Sequence, residues 1–237
     1  MPAKPSPARC LVITGASKGI GLATATRFAD AGYRVVNLSR TPTSVAGAIQ
    51  ITVDLSDIAS IETAANSLLR AVDGFPILSL VHNAALQSMG GIKEVTSAQL
   101  RAMFEVNVIA PSVLNQMLLP TMQAGSSILY IGSTMSHRAT RNLTGYIATK
   151  HATLGLMRST CQDLAGSGIH TCCICPGFTE TEMLRSFGGE VLKHLASLTT
   201  QQRIASTQEI ANLVHFAAEN PVVNGAALNA DLGFIEP

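Results

Sequence analysis

The feature that most restricts the fold is an alternation. From residue 10 to the carboxyl end, short runs rich in β-branched residues trade places with longer stretches of helical apolar spacing. Strands are predicted at 10–14, 33–40, 48–55, 77–85, 126–133, 169–177 and 226–233. Helices are predicted at 20–32, closed by Gly32, and at 57–72, 97–125 and 143–168, with two further helical patterns before the last strand. Strand, helix and strand in succession make right-handed crossovers, whose strands lie parallel in a sheet covered on both faces. The expected class is therefore α/β, a doubly wound parallel sheet with helices on both faces. No repeat, low-complexity tract or linker interrupts the chain, so residues 1–237 are expected to form a single domain. Ligands of such sheets bind beyond the carboxyl ends of the strands, where strand order reverses.

Composition narrows the function. Of 237 residues, 47% are apolar and only 13% charged, so the core is large and the solvated surface thin. Charge-poor helices at 97–125 and 143–168 predict faces buried against another copy, in a homodimer or homotetramer. A net charge of +1 gives no reason to expect a nucleic-acid or membrane partner. The uncharged stretch 107–136 is broken by Pro111, Asn115, Gln116, Pro120, Gln123 and Gly125, which predicts a buried helix and strand rather than a membrane span. The opening "MPAKPSPARC" lacks the apolar centre of a secretory signal, so a cytoplasmic protein is expected. Of five cysteines, Cys172, Cys173 and Cys175 share one predicted strand. Alternation puts Cys172 on one face and the other two on the opposite face, so they do not converge on a metal. They read as small apolar residues of a buried strand, and no metal is expected.

Chemistry enters at the strand ends. In "TGASKGIG", Gly15, Gly19 and Gly21 lie between the first strand and the first helix. A helix N-terminus offers free N–H donors and partial positive charge, and glycines let backbone approach a pyrophosphate. The spacing is a variant of the dinucleotide fingerprint, and taken alone it also suits a structural turn. The second strand ends "NLSR": Ser39 and Arg40 stand where an NAD-binding chain carries an acid for the ribose hydroxyls. A guanidinium suits a phosphate. Arg40 and Lys18 are expected to flank the 2′-phosphate of NADP(H), which is favoured over NAD(H).

Tyr146 and Lys150 in "GYIATK" are spaced to share a helix face. An ammonium close to a phenol favours its ionised form, which makes tyrosine a usable proton donor or acceptor at neutral pH. Ser133 ends a strand and is placed to hydrogen-bond a carbonyl or alcohol oxygen; Asn107 is a polar residue in an apolar helix and needs a partner. Singly, each also has a structural reading, as packing pair, strand terminator or water ligand.

Together these pieces resemble the short-chain dehydrogenase/reductase family, in its compact single-domain branch. The matching segments are "TGASKGIG" (14–21), "VDL" (53–55), "NAA" (83–85), Asn107, Ser133, "YIATK" (146–150) and "PGFTET" (176–181), in family order along nearly the whole chain. The resemblance implies a Rossmann sheet of about seven strands and oxidoreduction between CH–OH and C=O. It implies Tyr146 as acid/base, Lys150 as holder of the nicotinamide ribose, Ser133 as orienter of the substrate oxygen, and Asn107 as support of a water relay to Lys150. The implied cofactor residues are Gly15, Ser17, Lys18, Gly19, Ile20 and Gly21 in the loop, Ser39 and Arg40, Asp54 and Leu55, Asn83 and Ala84. Tyr146, Lys150, Pro176, Gly177, Thr179 and Thr181 line the nicotinamide end.

Two segments depart from the family pattern. The usual N-N-A-G reads "HNAA", with His82 as a core histidine and Ala85 where glycine is usual, and "NADLGF" replaces a double glycine. The family's substrate lid falls at about 182–205, where Leu184, Phe187, Leu192, Leu195 and Leu198 offer an apolar lining and Gly188 and Gly189 a hinge. An amphipathic helix on the core is the alternative there. The segment 134–144 supplies the opposite wall. The chain is also similar to 3-oxoacyl-thioester reductases, which makes the expected function an NADPH-dependent carbonyl reductase. An NAD-linked alcohol or hydroxysteroid-type dehydrogenase and a catalytically silent NADP(H)-binding sensor are the alternatives.

Overall fold

The computed structural model describes residues 8–185 and 188–234. In chain order the strands are β1 (Arg9–Thr14), β2 (Arg34–Leu38), β3 (Ile49–Ile51), β4 (Ile77–His82), β5 (Ser127–Ile131), β6 (His170–Pro176) and β7 (Ala226–Ala230). They form one sheet in the order β3-β2-β1-β4-β5-β6-β7, with all neighbours parallel. The order reverses between β1 and β4, and the glycine loop and "HNAA" leave the sheet there. The seven strands and the doubly wound class agree with the sequence reading. The strand ends run shorter than expected, most of all β3, where pairing stops at Ile51.

Helices α1 (Gly19–Asp30), α2 (Ile58–Val72), α3 (Ser97–Phe104), α4 (Ala110–Leu118), α5 (Thr144–Asp163), α6 (Glu182–Arg185), α7 (Gly189–Ser197) and α8 (Thr207–Glu219) complete the layers. Side-chain alternation divides the core. Cys10 and Val12 of β1 pack with Leu68 and Val72 of α2, Leu114 and Leu118 of α4, and Leu154 and Met157 of α5. Leu11 and Ile13 pack on the other face with Ala25 and Phe28 of α1 and Ile210, Val214 and Ala217 of α8. Cys172 belongs to this second face and Cys173 and Cys175 to the first. The three thiols divide between the faces as the strand period requires. Among the described residues no group of histidine, cysteine and carboxylate side chains is placed to hold a metal.

The helix expected at 97–125 is a correction. Its run is α3, a π-helical turn at Glu105–Ile109, α4, and a 3-10 turn at Leu119–Thr121. The π turn centres on Asn107, whose side chain bonds backbone outside the helix, and the 3-10 turn holds Pro120. Ser97–Thr121 is long and apolar enough to cross a membrane by composition. Its Met103, Leu114 and Leu118 are fully buried in this fold. Gly32 takes φ +85 just past α1, as a C-terminal cap requires. Ala85 is not among the residues with positive φ, so the place of the family glycine needs no glycine here. Leu232 adopts φ 57 before Gly233 at 68, so the turn written with two glycines in the family forms with one.

Candidate active site

The glycine loop is held from three sides. Thr14 Oγ1 accepts the N–H groups of Asn83 and Ala84, both at 3.0 Å, which fixes the end of β4 against the end of β1. Asn83 Nδ2 donates to the carbonyls of Thr14 and Gly15 at 3.0 Å. The Gly15 N–H donates to Leu38 O at 3.0 Å. Gly15 sits at φ +72, and a Cβ on Gly21 would lie 2.2 Å from Gly15 O and 2.4 Å from Asn83 Nδ2. Only glycine fits there. Asp57, Thr96 and Ser206 cap α2, α3 and α8 with their side chains, whereas Lys18 gives α1 no side-chain cap. The first N–H groups of α1 are thus open to an anion. Ser17 and Ile20 are half-buried within this loop and Lys18 is exposed.

At the end of β2, Arg40 is exposed and its guanidinium lies 3.9 Å from the Asp54 carboxylate. Asp54 accepts the Ser56 hydroxyl at 2.7 Å and the Ser56 N–H at 2.9 Å, and these bonds hold its carboxyl below the usual carboxylate range. Leu55 is buried in the first core face. Ser39 is buried at the start of the turn that carries Arg40. Its hydroxyl accepts from Asn37 Nδ2 at 2.8 Å and donates to Thr41 O at 2.6 Å, so its hydrogen is committed to the chain's own turn.

Ser133, Tyr146 and Lys150 come together at the end of β5. Lys150 is 4% exposed, and its Nζ donates to Ile131 O at 2.7 Å, two residues before Ser133. The same Nζ lies 5.5 Å from the centre of the Tyr146 ring. Ser133 Oγ accepts the Met135 N–H at 3.1 Å, which turns the hydroxyl and leaves its hydrogen free to donate. Asn107 is buried beside them. Its Oδ1 accepts Leu86 N–H at 2.7 Å, and its Nδ2 donates to Leu86 O and Thr149 Oγ1, both at 2.9 Å. The side chain therefore staples the segment after β4, and the Asn107 backbone carbonyl faces α5. Thr153 Oγ1 reaches that carbonyl at 3.3 Å.

The far wall follows β6. Pro176 and Thr179 are buried, and Gly177 meets Asp231, to whose Cβ a Gly177 Cβ would lie 2.7 Å. Thr181 accepts the Leu184 N–H at the start of α6, and a Cβ on Gly19 would lie 3.5 Å from its methyl group. The segment that leads into α6 thus starts beside the glycine loop. Gly188 takes φ +86 before α7, on which Leu192 and Leu195 are half-buried. Phe187 lies outside the described residues. The opposite wall carries Arg138 over the Phe234 ring at 5.0 Å, and Phe234 lies 5.5 Å from Phe178.

Beneath the site, burial pushes the fully enclosed His82 imidazole down to about 4. His82 Nε2 meets Asn115 Oδ1 at 2.8 Å, and Asn115 Nδ2 donates to Tyr130 Oη at 2.7 Å, so His82 is a hydrogen-bonded core histidine. Cys175 is lowered to about 6 by the facing Cys173 thiol at 3.8 Å, with His137 Nε2 at 3.7 Å adding to the effect against burial. Sequence reasoning missed Thr14, Asn37, Thr149 and Thr153. Each is a buried polar side chain within an apolar run or helix, and that contrast was the available signal.

Fold and site together define a dinucleotide-dependent oxidoreductase. The chain belongs to the short chain dehydrogenase family, whose model matches residues 9–191, and is an NAD(P)-dependent short-chain oxidoreductase. It is 24% identical over 233 residues to the 3-oxoacyl-acyl-carrier-protein reductase MabA of Mycobacterium bovis, covering 97% of this chain and 94% of that one. It is 30% identical over 244 residues to the 2-(R)-hydroxypropyl-CoM dehydrogenase of Xanthobacter autotrophicus, covering 94% and 97%. A short chain dehydrogenase from Burkholderia cenocepacia, solved in complex with NADP, superposes with a TM-score of 0.86 at 26% identity, covering 97% of this chain and 99% of that one.

Proposed function

We propose that the protein is an NADPH-dependent carbonyl reductase that turns a 3-oxoacyl thioester or a similar small carbonyl compound into its alcohol. In this reading residues 1–237 form one catalytic domain, lidded at 182–205, and the protein works as a cytoplasmic homodimer or homotetramer. The observation that carries it is the buried Lys150 ammonium, fixed on Ile131 O under the Tyr146 ring and beside Ser133. A buried cation is costly, and its retention here calls for a chemical role.

The glycine loop fits a dinucleotide: α1 has no side-chain cap, so its first N–H groups are open to a pyrophosphate. When bound, the nicotinamide supplies the hydride taken up by the substrate carbon. Ser133 donates its free hydrogen to the substrate oxygen and orients it. Tyr146 gives that oxygen a proton as it gains charge. Lys150 uses one N–H on Ile131 O, and its others hold the nicotinamide ribose and meet a water on the Asn107 carbonyl, the route by which the Tyr146 proton is replaced. Pro176, Gly177, Thr179 and Thr181 line the nicotinamide end, and Asp54, Leu55, Asn83 and Ala84 the adenosine end. Arg40 and Lys18 supply the cations for the 2′-phosphate, and Ser39 shapes the turn that carries Arg40.

NADPH oxidation with an acetoacetyl thioester, run beside simple ketones and diketones, tests the substrate. Turnover of the thioester well above the others is expected. Activity confined to the other carbonyls would leave the chemistry standing and discard the thioester.

A further inference from the structure

A buried hydrogen-bond network at the end of β2 lies outside the Ser-Tyr-Lys group. Asn37 is fully buried in a strand otherwise made of apolar residues and Arg34. An amide in such a place is costly unless every polar atom has a partner, and an apolar side chain would be the default. All three hydrogen bonds of Asn37 are made. Oδ1 accepts the Ala16 N–H at 2.9 Å; Nδ2 donates to Ser39 Oγ at 2.8 Å and Gln50 Oε1 at 2.7 Å. Gln50 of β3 in turn donates from Nε2 to Ser39 O at 2.9 Å and Ile51 O at 3.2 Å.

The direction of every bond follows from the first. Ala16 N–H can only donate, so that Asn37 atom is the oxygen. Its nitrogen then makes Gln50 present its own oxygen, which leaves the Gln50 nitrogen for the Ser39 carbonyl. Ser39 Oγ receives a hydrogen, so its own points to Thr41 O. A single arrangement satisfies all members, which makes the network a rigid link. It joins the glycine loop at Ala16 to the Ser39–Thr41 turn, and that turn carries Arg40.

We propose that Asn37 and Gln50 are positioning residues for the cofactor, and that Gln50 sets its choice, by holding the Arg40 turn in fixed relation to the glycine loop. The pyrophosphate cradle and the 2′-phosphate cation are thereby mounted on one brace. The inference rests on the NADP(H) reading above. The two amides act differently. Asn37 reaches the loop and the turn, so it serves both NADPH and NADH. Gln50 reaches only Asn37 and backbone of the Ser39 turn and β3, so it serves NADPH through Arg40.

Direct titration of NADPH and NADH fluorescence on Gln50→Met, Arg40→Ala and the double variant tests this. Gln50→Met keeps the side-chain length and removes the amide. It is expected to weaken NADPH about tenfold, the loss of about one hydrogen bond's positioning, and NADH by less than about twofold. In the Arg40→Ala background the same change is expected to leave NADPH affinity within about twofold, the non-additivity of two residues acting as one unit. A merely structural Gln50 would weaken both cofactors alike and would do so with or without Arg40. Equal losses, or no loss of NADPH, with Arg40→Ala still selective against NADPH, overturn the brace and leave the cofactor reading intact. An unchanged NADPH-to-NADH ratio in Arg40→Ala alone overturns the cofactor reading, and the brace with it.

Discussion

At the scale of single residues, His82 shows how burial, outweighing the hydrogen bond to Asn115, sets a side chain's chemistry. The unfolded chain binds a proton at the usual histidine value near 6.5, while the folded protein binds it only at about 4. Between these values the unfolded state holds more protons, so stability is full above pH 6.5 and falls as pH drops toward 4. The loss amounts to about 3 kcal/mol. Urea unfolding at pH 7 and pH 4.5 is expected to show this drop in the wild type and a smaller one in His82→Asn. The same slope in both would mean that other groups cause it. The residues that the candidate site brings together were legible at this scale because Tyr146, Lys150, Ser133 and the glycines stand in short motifs. The commitments of Ser39 and Asn107 were not, since Ser39 is bonded to Asn37 and to the Thr41 carbonyl of its own turn, and Asn107 to the distant backbone of Leu86. Sequence spacing reports which side chains share a face; it does not report which lone pair or hydrogen is already in use.

At the scale of elements, the two periods carried most of the information. Alternation assigned Cys172 and its neighbours Cys173 and Cys175 to opposite faces, because a strand has no other way to arrange them. The π turn at Glu105–Ile109 escaped the same reasoning. Its apolar residues continue the helical spacing from α3 to α4, and the extra residue shows only in where the Asn107 carbonyl and side chain fall. Asn107→Ala tests that element. It leaves the Leu86 N–H and carbonyl without the Asn107 side chain and takes from the Thr149 hydroxyl one of its two hydrogen bonds, so a loss of stability of about 1–3 kcal/mol is expected. A fall in kcat with NADPH affinity preserved is expected beside it, because the turn is bonded to α5, which carries Tyr146 and Lys150, and not to the glycine loop. Unchanged melting and kcat would show that the turn forms without its staple. Boundaries were the weakest part, as at β3, where only Ile49–Ile51 of the run 48–55 forms a strand.

At the scale of the whole molecule, the strand order puts the glycine loop, the Arg40 turn, Ser133 and the β6 end along one edge of one sheet. The parallel sheet followed from the alternation of elements, but its order did not, since order is decided by long-range packing that no local pattern records. The resemblance to a known family supplied the number of strands, about seven, while their order came from the fold itself. The braces across the site, Asn37 to Ala16 and Asn83 to Gly15, join strands distant in sequence and became visible only in the fold. The central claim is that this edge transfers a proton through Tyr146 to a carbonyl compound reduced by NADPH. Its most direct test is steady-state NADPH consumption by the wild type and Tyr146→Phe on the same carbonyl panel, with NADPH binding titrated for both. A fall in kcat of about 10²–10⁴-fold in the variant with unchanged NADPH affinity is the predicted result. Equal turnover by the two proteins would contradict it.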